Sequence, residues 1–217
     1  MTTSPSTKVT RQPHMTIDDP ATLRSFLEAT PFCNVAFVEN DFPIIIPMAF
    51  VNNDTHLFLH AYGDGRFMSA LGSGAPLCIS ATLFDGLVLA KAGYSQTMNY
   101  RSVCVFGSAT PVSDVREKIS VLKMISDKYV PGRWGSTRQP TKQELLETMI
   151  LQVPLTKISG KSRKGTPLDL EKDLDHPVWS GTIPYLLVPQ APVTDSLSRT
   201  DIQVPDNVLD VVKKGAL

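Results

Sequence analysis

The spacing of apolar residues along the chain changes at Cys33. Before it, Leu23, Phe26 and Leu27 recur at the spacing of one helix face, behind two aspartates and Pro20, which are typical of a helix start. After it come three β-type runs, CNVAFVE, FPIIIPMAFV and HLFLHA, separated by the turn-like ENDFP and NNDT. The pattern therefore predicts a short helix followed by an antiparallel meander.

The second of these strands is apolar on both faces between Ile44 and Phe50. One face of such a strand lines a core, and we expect the other face to meet a second partner. Pro47 lies inside the strand and cannot donate a hydrogen bond to a neighbouring strand. We therefore expect Pro47 at a sheet edge, at a bulge, or where a ligand replaces strand pairing.

Strand patterns continue through the middle of the chain. PLCISATL and LVLAKAGY are predicted as two strands joined by a hairpin at Phe84-Asp85-Gly86, and NYRSVCVFGSATPV as a long strand after them. Closer to the C-terminus, MILQVPLTKISGKSR is predicted to return as one strand. About seven mostly antiparallel strands with helices in the crossovers predict a mainly β, α+β fold, and favour a closed or partly closed barrel.

Helical spacing returns in three places. Asp114 is predicted to cap a helix over residues 114–130, and Pro140-Thr141 to open a second one that runs to Glu147. A further helix is expected near residues 206–214. These helices are predicted to connect or follow the strands of one sheet system.

The length of 217 residues suits one domain with terminal extensions. Residues 1–15 are polar and rich in Ser and Thr, which predicts a flexible N-terminal arm. We expect the folded domain over residues 16–187 and a peripheral C-terminal tail over residues 188–217.

Charge and composition argue against several classes of partner. Lys+Arg and Asp+Glu balance at 21 each, which leaves no overall field to attract nucleic acid or an anionic membrane. No apolar run approaches the ~20 residues of a membrane span, and the N-terminus lacks the apolar segment of a secretory signal. Cys33, Cys78 and Cys104 lie in separate apolar runs, as small buried residues do in a reducing compartment. The sequence therefore predicts a cytoplasmic protein.

The segment HLFLHAYGDGRFMSALG is a candidate phosphate site. Its strand ends at His60-Ala61, Gly63 and Gly65 allow close backbone approach, and Arg66 lies in the first turn of a predicted helix. Free N–H groups at a helix start and a guanidinium both bind phosphate. The alternative is an ordinary strand–helix turn with a solvated arginine, since the full phosphate-loop pattern is lacking.

Two other polar segments are weaker candidates. YSQTMNYRSV places hydroxyl and amide side chains beside Arg101, where they suit either a polar heterocycle or a plain hairpin loop. KISGKSRKG is a charge run, and such runs are usually solvated faces. His56 and His60 project from one face of the third strand, but no carboxylate or cysteine pattern accompanies them. With GxSxG, HExxH and CxxC patterns lacking as well, the sequence predicts no metal site and names no catalytic residue.

Several longer stretches resemble the FMN-binding split β-barrel proteins related to pyridoxamine 5′-phosphate oxidase, especially the flavin-nucleotide-binding and nitroimidazole-resistance branch. The matching stretches are FPIIIPMAF, LHAYGDGRFM, LFDGLVLAKAGYSQTMNYRSVCVFGSA, YVPGRW, KISGKSRKGTP and PVWSGTIP. The similarity covers residues 13–187. It implies an antiparallel split barrel that forms a homodimer, with FMN at the interface between the subunits.

The resemblance also implies which residues contact FMN. The backbone of Ile45, Ile46, Pro47 and Met48 meets the isoalloxazine edge. His60 and Ala61 flank the ribityl phosphate, which Arg66 binds. Ser102 falls where the family places a flavin-contacting polar side chain, next to Arg101 and in the same polar segment as Asn99. Lys161, Arg163 and Trp179 match the segment that helps to build the pocket, from the second subunit.

Two departures from the family bear on function. Ser95-Gln96 stands where close relatives often carry His-His, and the basic residues that grip substrate phosphate in the oxidase itself are not recognisable as a set. The resemblance therefore implies a general FMN-dependent oxidoreductase rather than a vitamin B6 oxidase. It passes a hydride between a nicotinamide donor, NAD(P)H, or a small organic substrate and the flavin. The alternatives are a non-catalytic flavin-binding or sensing protein, and a haem-binding split barrel with His60 or His56 as axial ligand.

Overall fold

The computed structural model describes residues 5–63 and 65–215. Its helices are α1 (Pro20–Ala29), α2 (Arg66–Gly72), α3 (Val115–Tyr129), α4 (Arg133–Ser136), α5 (Lys142–Glu147) and α6 (Asp206–Lys214). Its strands are β1 (Thr16–Ile17), β2 (Cys33–Glu39), β3 (Phe42–Met48), β4 (Phe50–Asn52), β5 (His56–Tyr62), β6 (Pro76–Leu89), β7 (Thr97–Ser108), β8 (Thr110–Pro111), β9 (Thr148–Pro154), β10 (Ile158–Arg163) and β11 (Gly181–Pro184). Every strand pair is antiparallel, so the α+β architecture predicted from the sequence is confirmed.

The strands form two sheets around one core. The larger sheet has the order β1-β10-β7-β6-β2-β3, with β11 on the far half of β6, and the smaller has the order β4-β5-β9-β8. Val35, Ile79 and Val105 of the larger sheet face Leu59 and Leu151 of the smaller one in a single buried cluster. A second cluster lies between the other face of the smaller sheet and α3.

Helix ends follow the local sequence. Asp19 accepts a hydrogen bond from Thr22 N at the start of α1, and Asp114 accepts one from Glu117 N at the start of α3. Thr141 and Glu144 form a reciprocal capping box at α5. The helices predicted from these residues, and the one near 206–214, are therefore confirmed.

Three strand predictions were wrong in their boundaries. The expected hairpin at Phe84-Asp85-Gly86 is instead a bulge within the continuous strand β6, which β7 follows along both halves. MILQVPLTKISGKSR forms β9 and β10, which belong to different sheets. FPIIIPMAFV likewise divides after Met48, so that β3 and β4 lie in different sheets. Periodicity along the chain identifies strands, but it does not show where a strand leaves one sheet for the next.

Ordered elements also lie outside the predicted domain of residues 16–187, on both sides of it. Residues 13–15 form a 3₁₀ turn, and β1 directly after it pairs with β10. In the predicted tail, α6 places the Asn207 amide 3.1 Å from the carbonyl of Pro131. Residues 1–4 of the predicted arm and 216–217 of the tail lie outside the described residues. Within the described part of the chain, each helix is too short or too polar to cross a bilayer.

Candidate functional site

Strand β3 forms one edge of the larger sheet. Among the described strands it pairs with β2 alone, and Pro47 stands opposite Asn34 in that pair. Pro47 was expected at a sheet edge, at a bulge or where a ligand replaces strand pairing. The structure confirms the first of these, because β3 is an edge strand. Ile45 is 66% exposed, whereas Met48 at the end of the strand is buried. The strand therefore presents Ile45 and Pro47 outward and turns Ile44 and Ile46 toward the core.

Arg66 lies beside the start of this edge strand. It is the first residue of α2, and its side chain is 81% exposed. Its guanidinium lies 3.2 Å from the carboxylate of Glu39, which ends β2 and pairs with Phe42, the first residue of β3. The ring of Phe67 packs on Phe37, with 5.3 Å between centroids, and fixes this end of the helix. The exposed arginine thus lies beside the start of the unpaired strand edge, and its binding of a flavin phosphate stays a prediction.

His60 and Ala61 lie in the middle of the smaller sheet, opposite Ile150 and Met149 on β9. Ala61 packs against the main core, and His60 projects from the opposite face. Nδ1 of His60 is buried and has no hydrogen-bond partner among the described residues. Burial lowers the pKa of His60, so its imidazole is held neutral.

His60 opens onto a cleft of about 320 Å³. Its other walls come from β5, α3, α5 and β9: Ala61, Tyr62, Leu122, Glu144, Glu147 and Thr148. His56, on the same face of β5, instead contacts the hydroxyl of Thr55 at 2.9 Å through Nδ1. In the described part of the chain, no three His, Cys, Asp or Glu side chains cluster closely enough to hold a metal ion.

The polar side chains at the start of β7 project from both faces of the sheet. Ser102 stands between Thr82 on β6 and Lys161 on β10. Arg101 points to the other side, where its guanidinium donates to both carboxylate oxygens of Asp85, at 2.7 Å and 2.9 Å. Asp85 raises the pKa of Arg101 through these hydrogen bonds. The two neighbouring residues therefore do not face one ligand together.

Asn99, Arg163 and Lys161 also have partners within the chain. The Arg163 guanidinium donates to the Asn99 side-chain oxygen at 2.5 Å, and the Asn99 amide donates to Gly165 O at 3.0 Å. The Lys161 ammonium donates to Arg11 O at 3.1 Å. These contacts hold the end of β10, the turn after it and the N-terminal segment, so a flavin-binding role for them stays a prediction.

A family model described as Pyridoxamine 5′-phosphate oxidase matches residues 19–162. The chain belongs to this family. The match includes α1, all four strands of the smaller sheet, and the strands β2, β3, β6 and β7 of the larger one. The family assignment inferred from sequence motifs is therefore confirmed.

Solved structures extend the likeness to nearly the whole chain. The flavocytochrome Anf3 from Azotobacter vinelandii is 31% identical with a TM-score of 0.88, covering 93% of this chain and 94% of that one. The FAD and heme binding protein from Mycobacterium smegmatis is 26% identical with a TM-score of 0.87, covering 91% and 97%. A candidate 5-nitroimidazole antibiotic resistance protein from Bacteroides thetaiotaomicron, 22% identical with a TM-score of 0.58 over 67% and 85%, shares the fold. No curated protein sequence matches the chain.

Trp179, which the resemblance places in the flavin pocket of this family, is 63% exposed. The turn that carries it is held by Lys91, whose ammonium donates to Val178 O at 3.1 Å and to His176 O at 2.7 Å. Trp179 covers Gly181, where a β-carbon would lie 2.5 Å from the indole ring. The indole thus lies on the surface of the chain, and a flavin-binding role for Trp179 stays a prediction.

Sequence analysis missed an aromatic cleft of about 290 Å³ at the β6 bulge. Its walls include Phe32, Phe84, Tyr185 and Leu186, and the Asp85–Arg101 ion pair borders it. Phe84 and Tyr185 meet edge to face with 5.0 Å between centroids. The sequence places these residues far apart, and only the pairing of β11 with β6 joins them.

Proposed function

We propose that this protein is a flavin-dependent oxidoreductase that binds the mononucleotide part of a flavin along β3, with the phosphate on Arg66. The observation that carries the proposal is the exposed guanidinium of Arg66 beside an unpaired strand edge that presents Ile45 and Pro47 outward. An apolar strand edge suits the ring, since unpaired backbone groups can bond its polar rim. FMN, expected from the sequence, and FAD both contain the mononucleotide.

When bound, a flavin supplies hydride and electron transfer, and the protein supplies position and shielding. Arg66 would hold the phosphate by charge-assisted hydrogen bonds. Ile45 and Pro47 would keep water from one side of the ring, while NAD(P)H or a small organic substrate reaches the other. No side chain is assigned as the proton donor.

We further propose that two copies assemble along the same edge and complete the split barrels. Val38 and Ile45 on the outward face of the β2–β3 pair, together with Phe42 where β3 begins, are here called the apolar edge; they are 64%, 66% and 71% exposed. Apolar side chains grouped in this way mark protein interfaces. A dimer would bury them and bring Trp179 of the partner subunit within reach of the flavin. A cytoplasmic location stays a prediction from the sequence.

The test begins with the purified protein and its absorbance near 450 nm, the region of the oxidised flavin band. Acid extraction and chromatography of the released cofactor then separate FMN from FAD. In the apo protein, Arg66→Ala is expected to weaken flavin affinity by about 1.5–3 kcal/mol, the contribution of a hydrogen bond to a charged group. Arg66→Lys keeps the charge and should lose less affinity. A colourless preparation that ignores added FMN and FAD would overturn the proposal.

Reduction of the bound flavin by NADH or NADPH, followed by turnover with an acceptor, separates an enzyme from a flavin-binding or sensing protein. Light scattering over a range of concentrations tests the dimer. Phe42→Ser should shift the assembly toward monomer, whereas Val193→Ser, at an exposed residue of the tail, should not.

A second candidate function is haem binding at His60. Two features of His60 favour it: the neutral imidazole and a buried ring nitrogen without a hydrogen-bond partner among the described residues. Haem iron takes a neutral imidazole as its axial ligand. The likeness to Anf3, a flavocytochrome, supports the same idea.

The cleft fits haem in part. Leu122 offers an apolar wall, but Glu144 and Glu147 place acidic groups in the same cleft. Protein expressed with added haem should show a Soret band that His60→Ala abolishes and His56→Ala retains. If His60→Ala keeps the Soret band, the axial ligand lies elsewhere. If the His60→Ala variant keeps the Soret band but no longer binds flavin, His60 serves the phosphate site instead.

A further inference from the structure

Two of the three cysteines lie side by side on the outer face of the larger sheet. Cys104 on β7 pairs directly with Ser80 on β6, and Cys78 lies two residues before Ser80. Because side chains alternate along a strand, all three project from the face opposite the buried Ile79 and Val105. This register places Cys104 directly opposite Ser80 and on the diagonal from Cys78, so a hydroxyl and a second thiol flank the Cys104 thiol on this face.

The third cysteine provides an internal contrast. Cys33 is fully buried in the core, with its Sγ 3.6 Å from the carbonyl of Met48. Burial raises the pKa of its thiol to about 12. Cys78 and Cys104 are only half-buried in the protomer. Solvent can therefore reach this pair, which we call the outer thiols, but not Cys33.

The contacts of the outer thiols favour a thiolate at Cys104. Hydrogen bonds donated by Cys78 and Ser80 stabilise that thiolate and lower the pKa of Cys104, while the same pairing raises the pKa of Cys78. The neighbouring charged group on β10 is Lys161, opposite Ser102 in the next row of the face, and its ammonium donates to Arg11 O. A lowered pKa together with partial exposure is the environment of a reactive cysteine.

We propose that Cys104 is a nucleophilic thiol that hydroperoxides oxidise, with Cys78 as the residue that positions and stabilises its thiolate. The Cys104 sulfur attacks one peroxide oxygen, so an S–O bond forms as the O–O bond breaks. The sulfur is oxidised to a sulfenic acid and the peroxide is reduced. With hydrogen peroxide the leaving hydroxide takes a proton from solvent to become water.

The register of the strands determines the fate of the sulfenic acid. Cys78 and Cys104 are diagonal neighbours, and such pairs have Cα atoms about 7–8 Å apart. A disulfide spans at most about 7 Å between Cα atoms unless the backbone moves. We therefore expect a sulfenic acid that persists long enough to be trapped, rather than a Cys78–Cys104 disulfide.

The test treats the full chain with limiting hydrogen peroxide in the presence of dimedone, followed by peptide mass spectrometry. Cys104 should carry the adduct at a rate at least about ten-fold above Cys33, which serves as the buried control. Cys104→Ser should remove the adduct without changing thermal unfolding. Equal labelling of Cys104 and Cys33, or a disulfide as the sole product, would overturn the proposal.

A second measurement separates positioning from packing. The pH profile of alkylation by iodoacetamide at Cys104 should move to higher pH in Cys78→Ala, because the donated hydrogen bond is lost. Cys78→Ser keeps a donor and should restore the profile. An unchanged profile in Cys78→Ala would contradict the role given to Cys78.

The proposal does not depend on flavin binding, but a dimer at the apolar edge would bring a second copy near Cys78, which pairs with Ala36 of β2. Labelling is therefore measured over a range of protein concentrations. Protection that grows with concentration supports both the dimer and the reactive thiol. Failure to label at every concentration, with dimerisation and flavin binding intact, would overturn the thiol proposal alone.

Discussion

The guanidinium of Arg66 lies 3.2 Å from the carboxylate of Glu39, across the space between α2 and the end of β2. The Arg66 side chain is mostly exposed, whereas that of Glu39 is mostly covered. The arginine can therefore turn toward a ligand, while the carboxylate stays beside it. A phosphate bound to Arg66 would lie near the negative charge of Glu39 and share the guanidinium with it. Glu39 therefore competes with the phosphate for Arg66.

Glu39→Gln is accordingly expected to tighten flavin binding. Removing this ion pair and the negative charge beside the phosphate should change the free energy of flavin binding by about 0.2–1 kcal/mol, which corresponds to an affinity up to about five-fold higher. Titration of the apo protein with FMN at low salt, followed by flavin fluorescence, measures the change. Asp201→Asn is the control, since it removes the same charge from the remote Arg199–Asp201 pair. An equal gain in both variants would show an effect of net charge only.

The Asp85–Arg101 pair is expected to stabilise the fold. Both side chains are about two-thirds covered, and Arg101 also packs over the ring of Phe26. Asp85→Asn leaves a partly buried guanidinium without its charged acceptor, which should lower the free energy of unfolding by about 1.5–3 kcal/mol. Urea unfolding measures the loss.

The exposed Arg199–Asp201 pair again supplies the comparison for this effect. Both of its side chains are largely exposed, so Asp201→Asn should change the free energy of unfolding by no more than about 0.5 kcal/mol. Equal losses of unfolding free energy in the two variants would mean that partial burial of the Asp85–Arg101 pair does not increase its contribution to stability.

Local sequence sufficed for features that depend on near neighbours. Helix caps such as Asp114 and Thr141 act within one turn, and the missing donor of Pro47 restricts it to a few positions whatever the fold. The phosphate candidate Arg66 also came from one strand–helix junction. Such features follow from a few consecutive residues: the structure confirms the caps, the edge position of Pro47 and the place of Arg66 at a helix start, while its phosphate role stays a prediction.

Partners that come from distant parts of the chain were not predictable in the same way. The polar segment around Arg101 suggested a ligand, but its guanidinium is taken by Asp85, and that of Arg163 by Asn99. The aspartate–glycine step at Asp85-Gly86 is typical of a hairpin, yet β11 returns from nearly 100 residues further along and pairs there. Only the tertiary pairing of strands decides such contacts.

Gly86 is expected to be required for that pairing. It has φ of 151°, and a β-carbon built on it would lie 2.5 Å from Ile183 O on β11. Gly86→Ala should therefore force β11 away and destabilise the fold by about 1–3 kcal/mol. Gly135→Ala is the control, because a β-carbon there meets no atom within 4 Å. Thermal unfolding of the two variants measures the difference, and equal melting temperatures would contradict it.

Lys128 is expected to make stability depend on pH. Its ammonium lies 3.5 Å from the ring centroid of Phe50 and donates to Leu27 O at 3.2 Å, yet burial outweighs these contacts and lowers the pKa of Lys128 from 10.5 to about 8. Between pH 8 and 9 the unfolded chain keeps this proton while the folded chain loses it. Because the unfolded state then binds more protons, stability must rise with pH over this window.

The contribution of Lys128 is isolated by comparison with Lys128→Met, which keeps the length of the side chain and removes the charge. From pH 8 to 9, the free energy of unfolding of the native protein should rise relative to that of this variant by up to about 1.4 kcal/mol. Cys33 acts in the opposite direction above pH 9, since burial keeps its thiol protonated in the folded state while the unfolded thiol ionises. A difference that stays constant over the window would mean that the cation–π contact and the hydrogen bond hold Lys128 charged.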